Sequence, residues 1–342
     1  MPNHLVSIII VNWNGKKHLS YCLPSLKKIN YPNVEIIIVD NGSTDQSVEY
    51  IKNNFPSAKI ILNKTNMGFA EGNNIGFKKA KGKYVLFLNN DTIVTPNFLK
   101  KLVNAIEENN KIAVVQPKII LSPSKKLQAG GDFLTDNGFL YHYGFGKNPD
   151  DPKYNRKIEI FSACGACMLV RSSVIKKIGL FDPDFFCYFE ESDFCWRVCL
   201  AGYKLLYVPE SIIYHKGSST SRKLGSKFTQ YHSFKNRICS LIKNLEKQNL
   251  VKTLFLHLLF CFLSFVTLVT TGKFPEASSI CKAWYWNFSH LNETLSKRRY
   301  IQGKIRKISD KKLMAKLKKS PGLKYFFYLF YGLEHYSDLD IT

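Results

Sequence analysis

Residues 84–92 read YVLFLNNDT: five apolar residues run without a break into Asn89, Asn90 and Asp91. Such a run, bounded by polar turn residues, suits a strand buried on both faces of a parallel sheet. Polar residues just past such a strand sit where open α/β sheets bind their ligands. Taken alone, the stretch is equally an Asx-rich turn that only reverses the chain. The neighbouring segments decide between the two.

Residues 6–11 form another β-branched run, ending at Asn12-Trp13-Asn14-Gly15, and residues 34–39 a third, ending at Asp40-Asn41-Gly42. Leu19, Cys22, Leu23 and Leu26 recur at helical spacing between them. Ser43-Thr44-Asp45-Gln46 reads as a capping box opening a helix. Residues 59–62 are a further strand, residues 66–79 lead into a helix, and Thr95-Pro96 opens another. Strands alternating with helices of this length predict a doubly wound, mostly parallel α/β sheet. Residues 121–157 lose the rhythm and read as loops and short hairpins. Residues 190–201 return as a helix closed by Gly202, and 203–208 as a strand.

The charge is lopsided. The chain of 342 residues carries a net +23, and residues 216–342 alone hold 23 basic against seven acidic residues. A basic tail implies a polyanion, either nucleic acid or an anionic membrane surface. Residues 218–227 are small, polar and basic, and read as a mobile loop. Residues 253–271, TLFLHLLFCFLSFVTLVTT, are long and apolar enough to reach across a bilayer. Basic residues crowd both of its flanks, so both flanks favour the cytosolic side. We therefore expect an in-plane or re-entrant helix, with the aromatic cluster 325–331 as a second interfacial contact; a single-pass anchor is the alternative. MPNHLVSIIIVNWNG enters a strand with no signal-peptide pattern, and the nine cysteines are scattered. Both features favour a reducing compartment. Cys164-Gly-Ala-Cys167 has redox spacing, but buried free thiols are preferred over zinc or a redox pair.

Four polar stretches thus fall at the same edge of one sheet: 12–14, 40–41, 66–69 and 89–91. That edge suits a nucleotide. No GxGxxG and no GxxxxGK[ST] occurs, so a glycine loop does not cradle phosphates. A carboxylate-held divalent cation does that work instead, and Asp91 is the natural ligand.

VSIIIVNWNG, VDNGSTD, NMGFAEGNN, FLNNDT, CGACMLVR, YFEESDFCWR and YHKGSS, in this order, resemble the family 2 glycosyltransferases with the GT-A fold. Among these they are most similar to rhamnosyltransferase-like enzymes of surface-polysaccharide assembly. The resemblance spans about residues 5–240. It implies a GT-A domain over 1–240, followed by a basic helical tail over 241–342. It further implies an inverting, metal-dependent transfer of a sugar from a nucleotide-diphosphate sugar to a glycan or lipid-linked hydroxyl, at the cytoplasmic face of the membrane. Asp40 would hold the nucleobase, helped by Val11 and Asn12. Asn41, Asn66, Gly68, Phe69, Asn73, Asn89 and Asn90 would complete the donor site. Asp91 stands at the family's DxD position and would bind Mg²⁺ or Mn²⁺, although Asn89 occupies a place where an aspartate is frequent. His215 would complete the metal shell, or else be structural. Glu191 aligns with the base that takes the acceptor's proton. Asp193 is its rival, and a solvated acidic helix start is the plain alternative. Gly165 and Ala166 would leave room for the sugar, and Trp196 would stack on it or be core.

A nucleotidyltransferase or a basic-tailed nucleic-acid binder is the competing reading. The first should show a glycine-rich basic loop after its first strand, where this chain has Asn-Trp-Asn-Gly-Lys-Lys. The second should interleave its basic residues with a recognisable module. Here they flank an apolar stretch, so no nucleic-acid partner is expected.

Overall fold

The computed structural model describes residues 3–217, 219–331 and 333–339. The chain runs β1 (Val6–Asn12), α1 (Lys16–Leu26), β2 (Val34–Asp40), α2 (Ser47–Asn54), β3 (Lys59–Leu62), α3 (Gly68–Phe77), β4 (Tyr84–Leu88), β5 (Thr92–Val94), α4 (Phe98–Glu107) and β6 (Ile112–Leu121). It continues through β7 (Leu127–Ala129), β8 (Asp132–Leu134), β9 (Leu140–His142), β10 (Ile158–Ile160), β11 (Cys167–Arg171), α5 (Ser172–Ile178), α6 (Glu190–Leu200) and β12 (Lys204–His215). Helices close it: α7 (Ser219–Asn244), α8 (Lys247–Thr270), α9 (Phe274–Ser289), α10 (Leu291–Tyr300), α11 (Asp310–Leu317) and α12 (Gly322–Tyr331).

The main sheet is ordered β10-β12-β6-β11-β4-β1-β2-β3. Period-two alternation divides its side chains between two cores. Ile9, Val39 and Phe87 pack towards α3, α5 and α6, while Ile8, Ile10, Ile38 and Leu86 pack towards α1, α2 and α4. The expected parallel block is present in β3-β2-β1-β4, with Asn12 level with Asp40. The sheet as a whole is mixed, because β11 runs antiparallel to both β4 and β6. This reversal brings Ala166 beside the end of β4, where Asn89 N donates to Ala166 O at 3.0 Å. β6 escapes a simple pattern search because Pro117 and Lys118 interrupt its apolar run. Buried Lys118 survives there by donating to Pro149 O at 2.7 Å.

Two local expectations are corrected. The capping box at 43–46 does not open α2, because Ser43 Oγ is taken by Asn12 Nδ2 (3.1 Å) and Asn14 N (2.8 Å). The helix begins at Ser47 instead, whose N–H donates to Asp45 Oδ1 at 3.1 Å. The stretch expected to be a mobile loop lies largely within α7, which is broken at Gly225 (φ 81°) and tied to α9 by Ser226 Oγ donating to Glu276 Oε1 at 2.7 Å. Ser218 lies outside the described residues.

Candidate active site

The ends of β1, β2 and β4 are knitted by side chains. Asn90 Nδ2 donates to Asn12 Oδ1 at 2.8 Å, Asn12 Nδ2 to Asp40 Oδ2 at 2.9 Å, and Ser43 N to Asp40 Oδ1 at 2.8 Å. Gly15 is required by this crossing: a Cβ there would stand 2.3 Å from Asn90 Nδ2 and 2.4 Å from Asn12 Oδ1. A second mesh holds the neighbouring loop, with Asn41 Nδ2 donating to Asn66 Oδ1 (3.2 Å) and Gly68 O (3.0 Å).

Beside this mesh opens a cleft of about 340 Å³. Val11, Asn41, Asn66, Gly68, Phe69, Asn89, Asn90, Asp91, Gly165, Ala166, Glu191 and His215, all expected site residues, line it. Asn12, Asp40 and Asn73 do not. They are buried behind the wall, Asn73 spending its amide on Phe69 O at 2.9 Å. Trp196 is core, packed edge-on against Phe161 at 5.4 Å. Asp193, fully buried, is paired to Arg197 Nε (3.0 Å) and Lys243 Nζ (3.1 Å) and bonded by Ser240 and Asn244. Burial alone would raise its carboxyl, but Lys243 and Arg197 hold it below the ordinary range.

At one corner Asp91 Oδ1 meets His215 Nε2 at 2.8 Å, with Asn89 Nδ2 at 3.4 Å from the same nitrogen. His215 Nδ1 is 2.7 Å from Gln128 Oε1. A carbonyl oxygen only accepts, so Nδ1–H donates to Gln128 and the ring is turned with Nε2 facing the carboxylate. Nε2 meets the carboxylate either by donating a proton to it or by sharing a cation with it. The donor set of carboxylate oxygen, imidazole nitrogen and amide therefore fits a divalent cation, with Gln128 orienting the ligand from behind. Among the described residues no cluster of three or more His, Cys, Asp or Glu suits a metal; the remaining ligands would come from elsewhere.

Across the cleft, α6 begins with Glu190 and Glu191. Burial, and then the negative charge of Asp132, push the Glu191 carboxyl up to about 7. Burial and the charge of Glu191 push Glu190 well above its ordinary value. Oε2 of each lacks a protein hydrogen-bond partner among the described residues. A carboxylate tuned near neutrality, with one oxygen free, suits general-base work. Gly165 leaves the approach open, since a Cβ there would lie only 3.5 Å from Glu191 Cδ. Gln128, Phe186, Cys187, Tyr188 and Leu224 also line the cleft without having been singled out from sequence, and so do Trp13, Cys164 and Glu190, which were not among the expected site residues. Gln128 lay in the irregular stretch 121–157, where no spacing marks it.

Comparison with known proteins bears on the family and the fold. An uncharacterised glycosyltransferase of Haemophilus influenzae is 35% identical over 111 residues, 32% of this chain and 44% of that protein. The chain thus matches less than half the length of this curated relative. The N-acetylglucosaminyl-diphospho-decaprenol L-rhamnosyltransferase of Mycobacterium tuberculosis is 24% identical over 255 residues, covering 67% of this chain and 81% of that protein. A mannosyltransferase of Pyrobaculum calidifontis, solved in complex with GDP-Man and Mn²⁺, shares the fold with a TM-score of 0.54 at 14% identity, over 87% of this chain and 84% of that one. Residues 7–179, half of the chain, match the family described as Glycosyl transferase family 2, and the chain belongs to that family.

Proposed function

We propose that the protein is an inverting, metal-dependent glycosyltransferase that moves a sugar, a hexose or deoxyhexose, from a nucleotide-diphosphate sugar to a hydroxyl of a glycan or lipid-linked acceptor in cell-surface polysaccharide synthesis. The observation that carries this is the placing of Asp91–His215 and Glu191 on one cleft, each with the chemistry its role needs. Asp91, His215 and Asn89 would hold Mg²⁺ or Mn²⁺, which when bound neutralises charge on the leaving diphosphate. Asn41, Asn66 and the Gly68–Phe69 backbone shape the donor end, and Asn12 and Asp40 hold that end rigid from behind. Glu191 takes the acceptor hydroxyl's proton while Gly165 and Ala166 admit the sugar, so attack comes from the face opposite the leaving group and inverts the anomeric carbon. The domain reading, catalytic to about 240 with a basic tail beyond, belongs to the same proposal.

The tail supports action at the cytoplasmic face of a membrane. α8 is the one described helix long and apolar enough to cross a bilayer. It is docked lengthwise: Thr253, His257 and Cys261 are buried, and His257 Nδ1 donates to Asn137 O at 2.9 Å. Val251, Phe255, Leu259, Phe262 and Leu263 remain exposed. A spanning α8 would carry Asn137 and the adjacent Asp136–Lys318 ion pair (2.5 Å) into hydrocarbon. An in-plane helix leaves them in water, and the basic flanks then face anionic headgroups.

A panel of UDP-, GDP- and dTDP-sugars tests the catalytic reading, with nucleoside diphosphate release measured with and without Mg²⁺ or Mn²⁺. Metal-stimulated release from one donor, rising with added polyprenyl-diphosphate-sugar or glycan acceptor, is expected. Binding of no nucleotide sugar by calorimetry would overturn it.

A further inference from the structure

The segment that delivers Glu190 and Glu191 into the cleft is held in an unfavourable backbone conformation. Phe186, Tyr188 and Phe189, none of them glycine, take φ of 60°, 68° and 68°. Such conformations persist only where the surroundings over-determine them, and they gather at functional sites. Phe186, Cys187 and Tyr188 line the cleft, and Phe189 immediately precedes Glu190. At its other end the segment grips the donor side, where Phe186 O accepts from Phe69 N (2.7 Å) and Ala70 N (3.0 Å) in the first turn of α3. One short loop therefore joins the donor pocket to the catalytic carboxylate.

Several α7 side chains hold the loop, among them His232 stacked on Phe186 and Arg237 over Phe189, but one meets three of its carbonyls. Asn236 on α7 is fully buried, and its Nδ2 lies 3.0 Å from Phe185 O, 2.9 Å from Cys187 O and 2.6 Å from Tyr188 O. An amide NH₂ has two hydrogens, so two of the three carbonyls take a full bond and the third shares one of them. The same face of α7 continues the grip: Ser240 and Asn244 bond Asp193 in α6, and Lys243 Nζ reaches Asp182 Oδ2 at 2.6 Å. Residues 236, 240 and 244 fall four apart, on one stripe of the helix. α7 lies entirely outside the residues that match the family, 7–179.

We propose that Asn236 is a positioning residue, clamping the 185–189 loop so that Glu191 is set against the sugar bound beside α3. The proposal rests on the reading of Glu191 as the base. Strands β1, β2 and β4 hold most of the donor pocket without Asn236, and only the Phe69–Ala70 turn leans on the loop. Its loss therefore misplaces the base and falls far more lightly on donor binding.

Asn236→Ala, and Asn236→Ser as the milder change, are measured in the full chain. Expected are a fall in kcat of about 10- to 100-fold, the scale of an ångström-level misplacement, and donor affinity within about twofold. The acid limb of the kcat–pH profile should move to lower pH as water reaches Glu191. Amide hydrogen exchange at Phe69 and Ala70, whose bonds to Phe186 O the loop supplies, should quicken in both variants. Unchanged kcat and exchange in either folded variant overturns the proposal, as does a parallel fall in kcat and donor affinity. Should neither variant fold, the unaltered protein still decides: exchange at Phe69 and Ala70 as slow as in the core strands supports the clamp, and exchange within seconds overturns it. The exchange signal needs no turnover. A failure of Glu191 as base, seen as full transfer by Glu191→Gln, is thus told apart from a failure of Asn236 to hold the loop.

Discussion

Asp91 Oδ1 and His215 Nε2 stand 2.8 Å apart, while the far side of the imidazole is fixed by Gln128. On the proposed reading, a divalent cation takes the place of the hydrogen bond between them. Asp91→Ala should weaken donor binding and abolish any response to Mg²⁺ or Mn²⁺ as well as turnover. Gln128→Ala leaves both ligands in place but frees the ring, and should cost about 10- to 100-fold in metal affinity. Titration of donor binding with Mn²⁺ measures both. Wild-type metal dependence in Asp91→Ala would end the cation reading.

Glu191→Gln keeps the shape and removes the base. Donor should still bind, while transfer falls by about 10²–10⁴-fold. In the parent enzyme, transfer should rise with pH through about 7, as Glu191 loses its proton, and then level off. Stability should move the other way. A carboxyl raised on folding stabilises below its unfolded value and loses that contribution as pH climbs through its folded value. Glu191→Gln should therefore melt higher than the parent above pH 7 and near-equally at pH 4. Near-normal transfer by the variant would shift the base to Glu190.

Asp193 should behave as structure, not chemistry. Asp193→Asn leaves Lys243 and Arg197 buried with a partner lost, a change that costs about 3–5 kcal/mol when a buried pair is broken. The expected phenotype is a lowered melting temperature with normal kcat per folded molecule. Because its carboxyl is held low in the fold, its contribution is present above the unfolded value and fades as pH falls. The penalty of Asp193→Asn should then shrink in acid. An unchanged melting temperature would contradict the buried pairing.

Phe255→Glu with Phe262→Glu places charge on the outward side of α8 without touching the buried stripe. Co-sedimentation with phosphatidylglycerol vesicles should be lost, while donor hydrolysis in solution persists. In sealed inverted vesicles, protease should reach the C-terminus as readily as the catalytic domain. Protection of the C-terminus would instead mean that α8 crosses the bilayer.

The donor half of the candidate site was legible in sequence because three of its four stretches follow a buried strand, where an apolar run breaks abruptly into Asn or Asp. YVLFLNNDT, VDNG and VNWNG all show this. The acceptor half was only partly legible. Glu191 stands out as an acid at a helix start, but so does Asp193, one turn position away. Only the fold reveals that Arg197 and Lys243 neutralise Asp193 while Glu191 faces open space. Asn12, Asp40 and Asn73 carried the right residue types, yet their side chains bond inward. Gln128 and Asn236 were invisible because their partners are 87 and about 50 residues distant, a separation no local pattern encodes.

The reversed direction of β11 has a further consequence for how such enzymes diversify. Cys167 is level with Leu88, so the register alone pins Gly165 and Ala166 to the end of β4. Most of what lies between β6 and β11 is relieved of that duty. Within residues 122–157 only Gln128, behind His215, and Asp132, beside Glu191, are tied to the reacting groups, so the segments between and beyond them can be lengthened or exchanged while that spacing is kept. Inheritance of a new acceptor then requires no reinvention of the chemistry.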